Sequence, residues 1–90
     1  MESNNDVEIG QVVKSKSGRD KGRIFLVYEV IGNGYVNIVD GDLRKLDKPK
    51  KKKIKHLSIY NTVLDEFREK LENQVNINNA YIRKLLEPFE

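Results

Sequence analysis

Ile24-Phe25-Leu26-Val27-Tyr28-Glu29-Val30-Ile31 is the most apolar stretch of the chain, and its reading decides the fold. β-Branched and aromatic side chains dominate it, which favours a strand over a helix. A strand with one wet face would alternate with polar residues. This one does not, so it is expected at the centre of a sheet. Gly32-Asn33-Gly34 follows, and its Asn-Gly pair supplies the positive φ of a tight hairpin that returns Tyr35 to Val39 alongside. Asp40-Gly41-Asp42 reads as the next turn.

Upstream, Val7 to Lys14 alternates around a bend at Gly10 and predicts a first strand, and Ser15 to Gly22 is a loop rich in turn formers. Downstream, Leu43 to Pro49 is a polar link in which Pro49 cannot join a regular ladder. Lys53 to Ile59 is expected to form a last short strand despite its poor alternation. Four to five short strands within about sixty residues point to a small barrel.

The period then changes. Thr62 with Asp65 is a loose capping box, and Val63, Leu64, Phe67, Leu71 and Val75 recur every three or four residues, as on an amphipathic helix. Its surface pairs, Glu66 with Lys70 and Arg68 with Glu72, are worth about 0.2–0.5 kcal/mol each, so packing of the apolar stripe must hold it. Asn78 or Asn79 caps a second helix, with Tyr81, Ile82, Leu85, Leu86 and Phe89 on one side and Pro88 limiting its end. The expected architecture is mainly β with an α appendage. A disordered start (1–6) precedes a small barrel (7–60) with a basic strip (48–57), and a helical hairpin (61–90) follows. The hairpin's apolar stripe is expected to pack on itself or on an open barrel face, or else to serve self-association or a protein partner.

The ninety residues hold 17 Lys/Arg and 14 Asp/Glu, a balance of +3, with a pI near 9.2. That mild figure hides a local excess. Residues 1–47 carry seven Lys/Arg against eight acids and residues 58–90 carry four against six, whereas residues 48–57 carry six lysines and no acid. Charge so concentrated marks a contact surface. The absence of cysteine excludes disulfides and thiolate metal sites, and a single His builds no imidazole cluster. His56 has no evident orienting partner and no nucleophile-elbow motif occurs, so neither catalysis, a metal nor a cofactor is expected. The polar start Met1 to Asp6 is unlike a signal peptide and no apolar run spans a membrane, which leads to the expectation of a cytoplasmic protein.

Gly10, Val12, Lys14, Gly18, Lys21, Gly22, Arg23, Ile24 and Val27 form an ordered set over strand, loop and strand. It resembles the KOW motif of ribosomal proteins and of NusG-type transcription elongation factors. The longer run adds Val39-Asp40-Gly41-Asp42-Leu43-Arg44 and the lysine strip. It is similar to bacterial KOW-domain RNA-binding proteins related to the eukaryotic-type fourteenth large-subunit ribosomal protein. The likeness spans residues 7–60 and implies an SH3-like β-barrel that binds RNA, ribosomal RNA above all, in a ribosomal or translation-linked setting. It implies nothing for residues 61–90.

Elementary chemistry of the same residues agrees, since RNA affinity begins with phosphate neutralisation and lysines suit backbone contact without base reading. The candidate RNA-binding residues are Lys14, Lys16, Arg19, Lys21 and Arg23 in and beside the first loop, and Arg44, Lys45, Lys48, Lys50, Lys51, Lys52, Lys53, Lys55 and His56 along the strip. Gly18 and Gly22 would let backbone approach closely. A stacking platform is missing, because Phe25 and Tyr28 lie in the most apolar strand and only Tyr35 and Tyr60 remain. Recognition of structured RNA by shape and charge is therefore expected. Two other readings stay open, a KOW module in transcription elongation and an SH3-like interaction domain whose lysines engage acidic proteins.

Overall fold

The computed structural model describes residues 7–73 and 75–90; the expected disordered start lies outside them. Five antiparallel strands, β1 (Gln11–Ser15), β2 (Ile24–Gly32), β3 (Tyr35–Val39), β4 (Lys50–Lys53) and β5 (Leu57–Val63), form one sheet in the order β4-β3-β2-β1-β5. Two helices follow, α1 (Asp65–Glu72) and α2 (Asn79–Leu86). The expected mainly-β chain with a helical appendage is what the structure shows, and β2 is the central strand.

Both faces of the sheet are covered along Ile24 to Val27, which is why this half of β2 lacks alternation, whereas Val30 and Ile31 beyond it are exposed. Phe25 and Val27 join Val7, Val13, Val36, Ile38 and Leu57 in one core. Ile24 and Leu26 point the other way, with Val12 and Val39, against Phe67 of α1 and Ile82 and Leu86 of α2. The helices therefore share a core with the sheet instead of forming a separate hairpin. The expected boundary after residue 60 falls inside β5.

Several expectations are corrected in detail. β1 begins at Gln11, not Val7, because residues 8–11 turn: the Gln11 N–H donates to the Glu8 carbonyl at 3.0 Å, and Gly10 has φ +92°. The stretch Lys53 to Ile59 is not one strand. Lys50–Lys53 pairs with β3, a single 3₁₀ turn spans Ile54–His56, and Leu57 opens β5. Lysine has little strand preference, so β4 exists because β3 offers a ladder, and its charge suits a sheet edge. The turn resets the side-chain phase so that Ile54 and Leu57 both reach the same core.

Thr62 does not cap α1. It stays in β5, whose ladder with β1 reaches Gln11 opposite Val63, and Leu64 leaves the sheet by donating its N–H to the Gly10 carbonyl at 2.8 Å. Leu64 takes the cap position without a side-chain bond, and Asp65 and Glu66 favour the helix start electrostatically. Arg68 reaches Asp65 at 2.9 Å and Glu8 at 2.5 Å, so its partners are not the expected Glu72. Asn78 caps α2, its Oδ1 accepting from the Tyr81 N–H at 2.9 Å.

The start of α2 is also tied to the loop after β3. The Leu46 N–H donates to Asn79 Oδ1 at 2.9 Å and Arg83 donates to the Gly41 carbonyl at 2.6 Å. Gly41 has φ +77°, and a Cβ there would lie 2.3 Å from the Asn79 carbonyl oxygen. Gly41→Ala must therefore displace α2 as well as strain a left-handed residue, and should cost about 2–3 kcal/mol in urea unfolding. Gly22→Ala, with φ +90° but open space around it, should cost less than half as much; equal losses would mean that the α2 contact contributes nothing.

Candidate nucleic-acid interface

The loop between β1 and β2 folds back against the lysine strand. Lys52 Nζ donates to the Ser17 carbonyl at 3.0 Å, and the Lys16 N–H donates to the His56 carbonyl at 2.8 Å. Ser15 Oγ also donates to the Ser17 carbonyl at 2.9 Å, fixing the loop backbone where Lys52 meets it. Gly18 (φ +82°) stands beside this contact, where a Cβ would lie 3.3 Å from Lys52 Nζ. Of the two loop glycines, Gly18 thus serves a close approach and Gly22 serves turn geometry.

These contacts bring Lys16 beside the segment that carries Lys52, Lys53, Lys55 and His56. Lost solvation, and after it the charges of Lys55, Lys53, Lys52 and Lys16, push the imidazole below its ordinary value. The shift disfavours the imidazolium, so His56 adds little to the positive charge of its lysine neighbours. Lys16, Lys53 and Lys55 are exposed, while Lys52 is half-buried and partly spent on Ser17.

The strip from Arg44 to His56 is not one continuous surface. Val36 and Ile38 pair with Lys52 and Lys50, so these two lysines rise from the rim of the core face. Tyr35 and Asn37 pair with Lys53 and Lys51 on the opposite face, where the Lys51 and Lys53 ammonium groups lie 4.8 and 5.9 Å from the centre of the Tyr35 ring. Such exposed cation–π contacts are worth about 0.5–1 kcal/mol each. Length divides the strip too: β4 spans on the order of 10 Å, with Lys45 and Lys48 beyond one end and Lys55 beyond the other. Lys45 and Lys48 line a shallow recess of about 400 Å³ with Asp42 and Asp47, a mixed-charge environment.

Arg23 and Arg44 are committed elsewhere. Arg23 donates to Asp40 at 2.8 Å and to Asp42 at 3.2 Å, and Arg44 donates to Asp20 at 3.0 Å. Asp20 and Asp40 are only 3% and 4% exposed, so the arginines neutralise carboxylates that could not otherwise stay buried. The Asp40 pair raises the Arg23 pKa further above its ordinary value. Asp40 also accepts the N–H groups of Asp42 and Arg44 at 3.0 and 2.8 Å, shaping the turn after β3. The two arginines thus lock the loops that flank the site, a task fitted to a forked guanidinium. Of the remaining candidates, Lys14 is exposed on β1 opposite Ser58 of β5, and Arg19 and Lys21 are exposed at the loop tip.

The carboxylate partners of Arg23 and Arg44 were missed in the sequence because Asp20, Asp40 and Asp42 read as turn formers, which they also are. Among the described residues, no group of three or more His, Asp or Glu side chains is placed to hold a metal ion, and no helix is long and apolar enough to cross a membrane. A scan against protein-family models gives no match, and no curated protein is significantly similar to the chain.

Proposed function

We propose that this chain is an RNA-binding module that grips the phosphates of a structured RNA, with Lys16, Lys53 and Lys55 as its principal contacts and Lys50, Lys51 and Lys52 beside them. The observation that carries the reading is the docking of the first loop on the lysine strand, which brings cations from two distant segments to one end of the sheet edge. Like charges repel, and their convergence costs stability unless an anion relieves it. A polyanion with regularly spaced phosphates fits this demand.

An SH3-like barrel is the finer description of the fold in this proposal. Supporting it are five short strands, a four-strand meander, and a fifth strand that crosses by one 3₁₀ turn to the far side of β1. The basic residues of the KOW-like pattern belong to the same loop that reaches β4, and the ribosome is the setting that the resemblance implies. The protein should sediment with ribosomal subunits at low salt and leave them after ribonuclease treatment. Association that survives ribonuclease would instead favour an acidic protein partner, and recovery with RNA polymerase but not with ribosomes would favour a role in transcription elongation.

A further inference from the structure

Six of the seven aromatic side chains are absorbed by the two cores. Phe25 lies in one, and Tyr28, Tyr60, Phe67, Tyr81 and Phe89 lie in or against the other, with Tyr28 tilted against Phe67 at 6.4 Å and Tyr60 edge-on to Phe89 at 6.3 Å. Tyr35 belongs to neither. It stands at the start of β3, half-buried, on the face opposite Val36, with Lys53 directly across the ladder and Lys51 two residues along on the same face.

From this placement we infer that Tyr35, bracketed by Lys51 and Lys53, is a stacking site for one unpaired nucleobase, a role that presupposes RNA binding at the neighbouring lysine cluster. Aromatic rings interleaved with cations are how sequence-tolerant sites hold unpaired bases. Two ammonium groups already lie near the ring, and each contact by itself is weaker than that of a stacked base. On long flexible stems they can swing from the ring to the flanking phosphates, so a base entering over Tyr35 exchanges a weak contact for a stack and two charge contacts. Glu29 lies on this face as well; Asn37 Nδ2 donates to it at 2.8 Å, which fixes the carboxylate beside Asn37 but leaves its charge, so the site's positive charge rests on Lys51 and Lys53. The ligand is then a structured RNA with at least one base outside its helix; a fully paired duplex would meet Lys51 and Lys53 through its phosphates and leave only the Tyr35 ring unused.

The test compares a blunt RNA duplex with the same duplex carrying a three-adenosine overhang whose middle base is 2-aminopurine. Wild type and Tyr35→Phe should bind the overhang probe about tenfold more tightly than Tyr35→Leu. They alone should quench its fluorescence, while all three bind the blunt duplex equally and share one salt dependence. Equal blunt-duplex binding also shows that the leucine variant is folded. Overhang affinity and quenching unchanged in Tyr35→Leu would overturn the stacking site and leave phosphate binding standing. A leucine variant weakened equally on both probes would reduce Tyr35 to a structural residue and overturn it as well. A wild-type protein that binds neither probe would overturn the RNA-binding reading together with the stack.

Discussion

Phe67→Ala is expected to destabilise the sheet as well as the helices, by about 3–5 kcal/mol. Phe67 is fully buried, and it is the one α1 side chain that is. It closes a core whose other walls are Val12, Ile24, Leu26 and Val39 of the sheet and Ile82 and Leu86 of α2. Removing the ring leaves a cavity that neither layer can fill without moving the other. For a domain of this size each kcal/mol shifts the melting temperature by about 4–8 °C, so the loss should exceed roughly 12 °C. Far-ultraviolet circular dichroism, dominated by the helices, and near-ultraviolet tyrosine signals, which include Tyr28 of the sheet, should fall together at the lowered temperature. A sheet that keeps its wild-type midpoint while the helices melt early would mean that α1 and α2 fold independently of it.

The size of this effect follows from what the helices cover. Without them, Val12, Ile24, Leu26 and Val39 would face water, a loss of up to about 6–12 kcal/mol if each is worth 1.5–3. Small domains have only about 5–15 kcal/mol in total. A sheet of this kind therefore needs its helices, and the acidic tail is a structural lid on the face away from Phe25 and Val27.

The sequence made β2, the Asn33-Gly34 hairpin and β3 legible because each rests on local chemistry: a double-faced apolar run, a turn pair with positive φ, and a returning strand. A cap at Asn78 or Asn79 was legible for the same reason, and the structure assigns it to Asn78. What escaped was set by partners far along the chain. Four consecutive lysines become a strand only because β3 lies beside them, and Thr62 stays extended because β1 pairs with its segment. The site followed the same division. Its charge was visible as a run of lysines, but β-pleating deals neighbouring lysines to opposite faces, and two of the expected arginines turn out to balance buried aspartates. The convergence of Lys16 on His56 could be stated beforehand only as a condition on how the first loop folds. The loop-to-strand bonds meet that condition.

The central claim is that this convergence is a phosphate site. It is tested most directly by the salt dependence of affinity for a structured RNA, for wild type and for the triple variant Lys16→Ala, Lys53→Ala, Lys55→Ala. All three side chains are exposed, so their removal should leave the melting temperature nearly unchanged. Lys52 is retained because its bond to Ser17 holds the loop. Each phosphate contact adds about 0.7–0.9 to the slope of log affinity against log salt. The wild-type slope should therefore lie near −3.5 to −5 or somewhat steeper, and the variant should be flatter by about two to three units. At 0.1 M salt that difference corresponds to a loss of about a hundredfold or more, with the two lines converging toward 1 M. A folded variant that keeps the full wild-type slope would contradict the account and remove these lysines from the interface.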